Sequence, residues 1–190
     1  MGLTYFNTNN WVDISREERL YCAHLYFRIK GKELYFVNWL NKNNAMNLPT
    51  NCKWEIGYEV CFYRDYLKNV ENKSIRVVNR KFKDNPYSEK RTFDLCLFSE
   101  DAIVIIEAKV KEHFGQAQLD DTKADELLIP RVLGRDIEVI NLLLAQSKYI
   151  KSKNFLKSKK NREAFPFRIS WKEMNELYSK DIFGHADELS

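Results

Sequence analysis

Apolar positions recur along this chain with helical spacing in some segments and as near-continuous runs in others. Between Ser15 and Lys30, Leu20, Ala23 and Phe27 fall three or four residues apart, which sets them on one face of a helix. Ser15-Arg16-Glu17-Glu18 has the form of a capping box at its start, and Gly31 marks its end. A second helix is predicted over Glu33–Asn41, before the polar turn NKNNAMNLPTN. A third is predicted over Glu55–Lys68, with Ile56, Val60, Tyr63 and Leu67 as its stripe. Ser74–Asn79 reads as a short strand. The stretch from Arg91 to Val110, RTFDLCLFSEDAIVIIEAKV, reads as a hairpin of two buried strands. A helix over Gln116–Leu128 ended by Pro130, a buried strand over Ile137–Leu144, a basic loop, a strand near Phe167–Ser170 and a helix over Trp171–Ser179 complete the pattern.

The hairpin is apolar on both faces. Phe93, Leu95, Leu97, Val104, Ile106, Ala108 and Val110 fall on one, and Cys96, Phe98, Ile103 and Ile105 on the other. Such strands need cover on both sides, so the expected fold class is α/β: a mixed central sheet flanked by helices, with an N-terminal helical pair. A single domain over 1–190 is expected: a helical extension (1–50), a core (55–145), then the basic loop, strand and C-terminal helix (146–190).

Charges interrupt the hairpin at only a few positions. With Ser99–Ala102 as a four-residue loop, Phe98 faces Ile103, and the same register sets Asp94 opposite Glu107. Opposed side chains share a face, with Cβ atoms about 4.5–5.5 Å apart. Lys109, two residues past Glu107, alternates onto that face. A buried charge is costly unless it is paired or holds a metal, so two acids and a lysine in strands this apolar point to a site.

Two close carboxylates repel each other unless a proton or cation lies between them. Hard oxygen ligands suit Mg²⁺ or Mn²⁺. Such an ion polarises a phosphoryl oxygen and lowers the pKa of a water, which a neighbouring lysine could orient or deprotonate. Metal-assisted phosphodiester hydrolysis is the chemistry these residues fit. The acid-x-Lys triplet alone carries little, since Glu71-Asn72-Lys73 and Asp121-Thr122-Lys123 repeat it in polar surroundings. The apolar strand before Glu107-Ala108-Lys109, and Asp94 across from it, set that one apart.

Phe93-Asp94-Leu95 followed by Ile106-Glu107-Ala108-Lys109 resembles the PD-(D/E)xK nuclease superfamily, the restriction-endonuclease-like fold, with Phe93 where the pattern's proline would stand. The resemblance runs from about Glu55 to Leu144 and implies an αβββαβ core. It implies that Asp94, Glu107 and the Ala108 carbonyl hold the metal, with Lys109 beside the attacking water. Many members add a glutamate from the helix before the sheet, which the resemblance assigns to Glu59, with Glu18 as the rival from an earlier helix. A glutamine early in the next helix is matched by Gln118, or by Gln116. The implied activity is a Mg²⁺-dependent deoxyribonuclease. An alternative is a relative that has lost cleavage and serves as a nucleic-acid-binding or assembly module. A further alternative is a structural acid–lysine pair in an unrelated α/β domain.

Composition changes this picture only in its partners. Hydrophobic residues are 44% and charged residues 31%, as in an ordinary soluble globular protein. No apolar run approaches the ~18 residues of a membrane span. The first fifteen residues lack the basic start and apolar middle of a signal peptide, and Phe6 stands where a myristoylation signal has Ser or Thr. Cys22, Cys52, Cys61 and Cys96 form no C-x-x-C pair and are expected as reduced thiols in a cytoplasmic protein, with no zinc-ligand spacing from His24, His113 or His185. Net charge is +4. From Lys148 to Arg162 there are seven basic residues and no acid, and a second basic-rich stretch spans Lys68 to Arg91, so the expected partner is a polyanion, DNA first. The helical pair before residue 50 offers a surface for homodimerisation.

Overall fold

The computed structural model describes residues 17–81, 87–110 and 114–189. A five-stranded mixed open sheet lies between helices, the α/β class the pattern predicts. In chain order the described elements are α1 (Glu18–Ile29), α2 (Glu33–Asn44), β1 (Glu55–Val60), α3 (Phe62–Asn69), α4 (Ile75–Lys81), β2 (Phe93–Phe98) and β3 (Ala102–Ala108). They continue with α5 (Gln116–Leu133), β4 (Glu138–Ala145), α6 (Ser147–Ile150), α7 (Lys153–Lys157), α8 (Lys159–Ala164), β5 (Phe167–Ser170), α9 (Trp171–Tyr178) and α10 (Asp181–Glu188). Strand order follows chain order; β1, β2 and β3 form an antiparallel meander, while β4 and β5 run parallel to β3.

The hairpin forms in the expected register, with Phe98 paired to Ile103 and Leu95 to Ile106. Leu95, Leu97, Val104 and Ile106 pack on one side against α1, α2, α9 and α10. Cys96, Ile103 and Ile105 pack on the other against α3, α4 and α5. Phe93 departs from its expected face and joins this second cluster, beside Phe62 and Tyr63. A third cluster, built on Leu143, Phe155 and Phe165, fixes α7 and α8 over the end of β4.

Several boundaries differ from the pattern, each for a local reason. Glu55–Lys68 is a strand followed by a helix, so the stripe Ile56–Val60–Tyr63–Leu67 straddles a junction. Gly57 marks the strand: a Cβ there would lie 2.5 Å from Val60 Cγ2 and 3.2 Å from Phe98 Cε2. Ser74–Asn79 is not a strand; Ile75 and Val78, three apart, are the buried pair of α4. Pro130 does not end α5, which runs to Leu133 and closes on Gly134 in the left-handed region (φ 65°).

The basic stretch after β4 is a run of three short helices rather than a loop. Ser152 and Ser158 cap α7 and α8 by accepting from Phe155 N and Asn161 N. Helix α10, absent from the pattern, is docked by Asp187, which accepts from Ser147 N at 2.7 Å and Lys172 N at 3.2 Å. Ser15, the expected cap of α1, lies outside the described residues; Glu17 stands at the N-cap without a side-chain capping bond. All four cysteines are free, with Cys22 and Cys96 buried and Cys52 and Cys61 half-buried. No helix among the described residues is long and apolar enough to cross a membrane.

Candidate active site

Strands β3, β4 and β5 are parallel, so their C-terminal ends share one edge of the sheet, where open α/β folds commonly bind ligands. The charged residues of the hairpin gather at that edge. Glu107 is the one charged residue in β3 and is 2% exposed. The β2–β3 ladder ends at the Leu95–Ile106 pair, and Asp94 is the next residue of β2 beyond it. Its Oδ2 accepts from Ala108 N at 2.8 Å, which fixes the carboxylate across the end of β3.

Lys109 lies one residue past the strand with its backbone held on two sides. Its N–H donates to Leu144 O at 2.7 Å, and its carbonyl accepts from Trp171 Nε1 at 3.0 Å. Its ammonium, expected on the face of Glu107, reaches instead to α1 and donates to Glu18 Oε1 at 3.1 Å, 5.2 Å from the Phe114 ring. Glu18 Oε2 also accepts from Val110 N at 3.1 Å. Of the two glutamates weighed for the helix position, Glu18 is therefore the one bonded to the lysine.

Glu59 is not on a helix, contrary to expectation. It sits in β1 with a left-handed backbone (φ 51°), between Tyr58 and Val60, which pair with Leu95 and Phe93, and its carboxylate lies 3.4 Å from Arg19 Nε. A non-glycine residue in that region costs about 1–3 kcal/mol, and such strain concentrates at functional edges. Gln118 is in the first turn of α5 as expected, and its carbonyl accepts from Thr122 Oγ1 at 2.8 Å. Gln116 donates to Asp120 Oδ1 at 2.7 Å.

The structure adds residues that the motif does not reveal. Arg91, just before β2, lies over the Phe93 ring at 5.0 Å and reaches both Glu107 and α5. Its Nε donates to Asp125 Oδ2 at 2.9 Å and its Nη2 to Thr122 Oγ1 at 3.3 Å. Nη2 also lies 2.7 Å from Asp125 Oδ2 and 2.8 Å from Glu107 Oε1. Tyr63 OH donates to Asp125 Oδ1 at 2.5 Å. A sequence signal for α5 existed: Thr122 and Asp125 interrupt the buried stripe of Leu119, Leu128 and Ile129.

Charge is out of balance in this cluster. Among the described residues, Glu18, Asp94, Glu107 and Asp125 share two largely enclosed cations, Lys109 and Arg91, which leaves two negative charges in excess if every group is ionised. Burial pushes all four acids up, and Glu107 rises to about 8, with Asp94 and Asp125 adding to the burial cost and Arg91 offsetting part of it. Burial works against the charge on Lys109, but Glu18, Asp94 and Glu107 together raise its pKa and keep it an ammonium. The excess can be met by protons or by one divalent cation.

Among the described residues no group of three or more His, Cys, Asp or Glu side chains is arranged to hold a metal. An ion here would rest on two carboxylates, a backbone carbonyl and water, which is how Mg²⁺ is commonly bound. The chemistry of the donors suits that, since all are hard oxygens; Glu107 Oε1 is buried, accepts no hydrogen bond among the described residues, and is paired by charge with Arg91 Nη2 at 2.8 Å. Comparison with family models, curated proteins and solved structures returned no match for this chain.

Proposed function

We propose that the chain is a divalent-metal-dependent nuclease with a PD-(D/E)xK, restriction-endonuclease-like core, acting on DNA. The observation that carries this reading is the two-charge deficit at the end of β3, in a buried cluster that also contains a lysine. The element order supports this reading: with α2, α3 and α4 taken as insertions, α1, β1, β2, β3, α5 and β4 follow one another in an αβββαβ sequence. Asp94, Glu107 and the Ala108 carbonyl would hold Mg²⁺ or Mn²⁺. When bound, the ion supplies positive charge at the scissile phosphate and acidity to a water.

Each residue of the chain has a distinct task in that reaction. Lys109 stays protonated and donates to the phosphate oxygen on which charge develops, rather than acting as a base. Glu18 aims that ammonium from α1 and leaves it charged. Asp94, tied to Ala108 N, keeps its second oxygen for the ion. Arg91 offsets part of the charge on Glu107 from the opposite layer.

DNA would enter along α6–α8. Lys148, Lys151, Lys153, Lys157, Lys159, Lys160 and Arg162 cluster there, all exposed, and the segment starts where β4 ends, at the same end of the sheet as Glu107. Phosphate contacts of this kind give salt-sensitive, largely sequence-independent binding. The rival is a non-cutting binding or assembly module, favoured by one observation: Lys109 and Arg91 already have carboxylate partners.

Incubation with single- and double-stranded DNA and RNA, in Mg²⁺, Mn²⁺ or EDTA, separates the two. The nuclease reading expects cutting of DNA that EDTA abolishes. Tight, salt-sensitive binding with no cutting under any metal would replace it with the rival.

A further inference from the structure

Arg19, in the first turn of α1, is an exposed cation at the sheet edge that carries Asp94 and Glu107. Its side chain is 72% exposed, against 12% for Lys109 and 9% for Arg91, which are both committed to carboxylates. Glu59 approaches its Nε at 3.4 Å, yet the guanidinium donates no hydrogen bond among the described residues. Burial raises the Asp94 pKa, and Arg19 is among the groups that offset it, after Ala108 N–H, Lys109 and Arg91. Arg19 therefore lies within electrostatic reach of that carboxylate.

The end of β1 is bent to hold Arg19 there. Successive side chains of a strand point to opposite faces. Ile56 and Tyr58 both pack on the α1 side, but Val60 packs on the other, so the alternation breaks at Glu59, the residue with φ 51°. Tyr58 and Glu59, though adjacent in sequence, both reach Arg19. Tyr58 OH donates to Arg19 O at 3.1 Å, and the Glu59 carboxylate meets the guanidinium. An exposed ion pair adds less stability than a left-handed glutamate costs. Stability does not account for the bend, whereas presentation of the guanidinium does.

We infer that Arg19 is a substrate-binding residue that receives a backbone phosphate of the nucleic acid at this edge of the sheet. The inference rests on the reading above for its ligand, but the contact itself needs no metal. A guanidinium fork matches a phosphate through two parallel hydrogen bonds. Arg91 cannot offer that fork without leaving Asp125 and Thr122. Arg19 can, because its hydrogens are uncommitted.

The test is binding of a fluorescein-labelled DNA duplex by anisotropy, in EDTA and at several salt concentrations. The wild-type chain is compared with Arg19→Gln, Arg19→Lys and Arg135→Gln. Arg135 is the control: it is exposed, paired with Glu100 at 2.9 Å, and lies before β4 at the opposite end of the sheet. Arg19→Gln should weaken binding roughly tenfold and make the log–log salt slope shallower by about 0.9, with an unchanged melting temperature. Arg19→Lys keeps the charge without the fork, so it should restore the slope and only part of the affinity. Arg135→Gln should change neither. Equal effects of Arg19→Gln and Arg135→Gln, or no effect of Arg19→Gln, would make Arg19 an ordinary surface charge. Either result would overturn the inference while leaving the nuclease reading intact. No duplex binding by the wild-type chain would overturn both.

Discussion

Four acids, Glu107 and Asp125 buried and Glu18 and Asp94 half-buried, share two cations around the end of β3, and the stability of the chain should register that imbalance. An acid whose pKa is raised by folding binds its proton more tightly in the folded state, so its contribution is full below the unfolded pKa and is lost as pH rises through the folded value. For Glu107 that window runs from the ordinary carboxylate range up to about 8. Asp94, Glu18 and Asp125 shift in the same direction. The metal-free chain is therefore expected to melt at progressively lower temperature as pH is raised from about 4.5 toward about 8, and added Mg²⁺ should flatten the slope. Differential scanning fluorimetry across that range checks it; a melting temperature that climbs with pH would refute the assignment. Arg91 is the other residue-scale test. Arg91→Met leaves Glu107 and Asp125 buried without their cation and should cost about 3–5 kcal/mol in urea unfolding.

At the scale of elements, the hairpin was legible and its surroundings were less so. The register of β2 against β3 follows from a short polar loop between two continuous apolar runs, and it correctly brings Asp94 to the strand end beside Glu107. Glu55–Lys68 misleads because a strand and a helix meet at Cys61 with apolar residues that happen to fall at helical spacing. Gly57 carried the contrary signal, since glycine weakens a helix interior and suits close backbone approach. Glu18 is legible as a cap but not as the partner of a lysine 91 residues away. Arg91 and Asp125 are separated by 34 residues and by the hairpin itself, so only the fold joins them. Gly57→Ala tests the local geometry: the added methyl meets Val60 and Phe98, and should cost about 1–3 kcal/mol, read as a drop in melting temperature.

For the whole molecule, the layers divide the labour. The helices α1 and α5 close on the strand ends from opposite faces, one delivering Glu18 to Lys109 and the other delivering Asp125 to Arg91. The basic run α6–α8 starts at that end of the sheet, directly after β4, and crosses to the start of β5. Replacing Lys153, Lys157 and Lys160 with Ala should weaken duplex binding about equally across sequences. It should also make the log–log salt dependence shallower, by about 0.9 for each phosphate that is no longer neutralised, measured by fluorescence anisotropy at several salt concentrations. An unchanged slope would move the DNA path elsewhere on the surface.

The most direct test sets metal binding against cutting in two variants, Asp94→Asn and Lys109→Ala. Asp94 is proposed to hold the ion and Lys109 to serve the phosphate. Asp94→Asn should therefore lose both Mn²⁺ binding and cleavage of DNA. Lys109→Ala should keep Mn²⁺ binding while cutting at least about 100-fold more slowly. Cleavage at the wild-type rate by either variant would contradict the account.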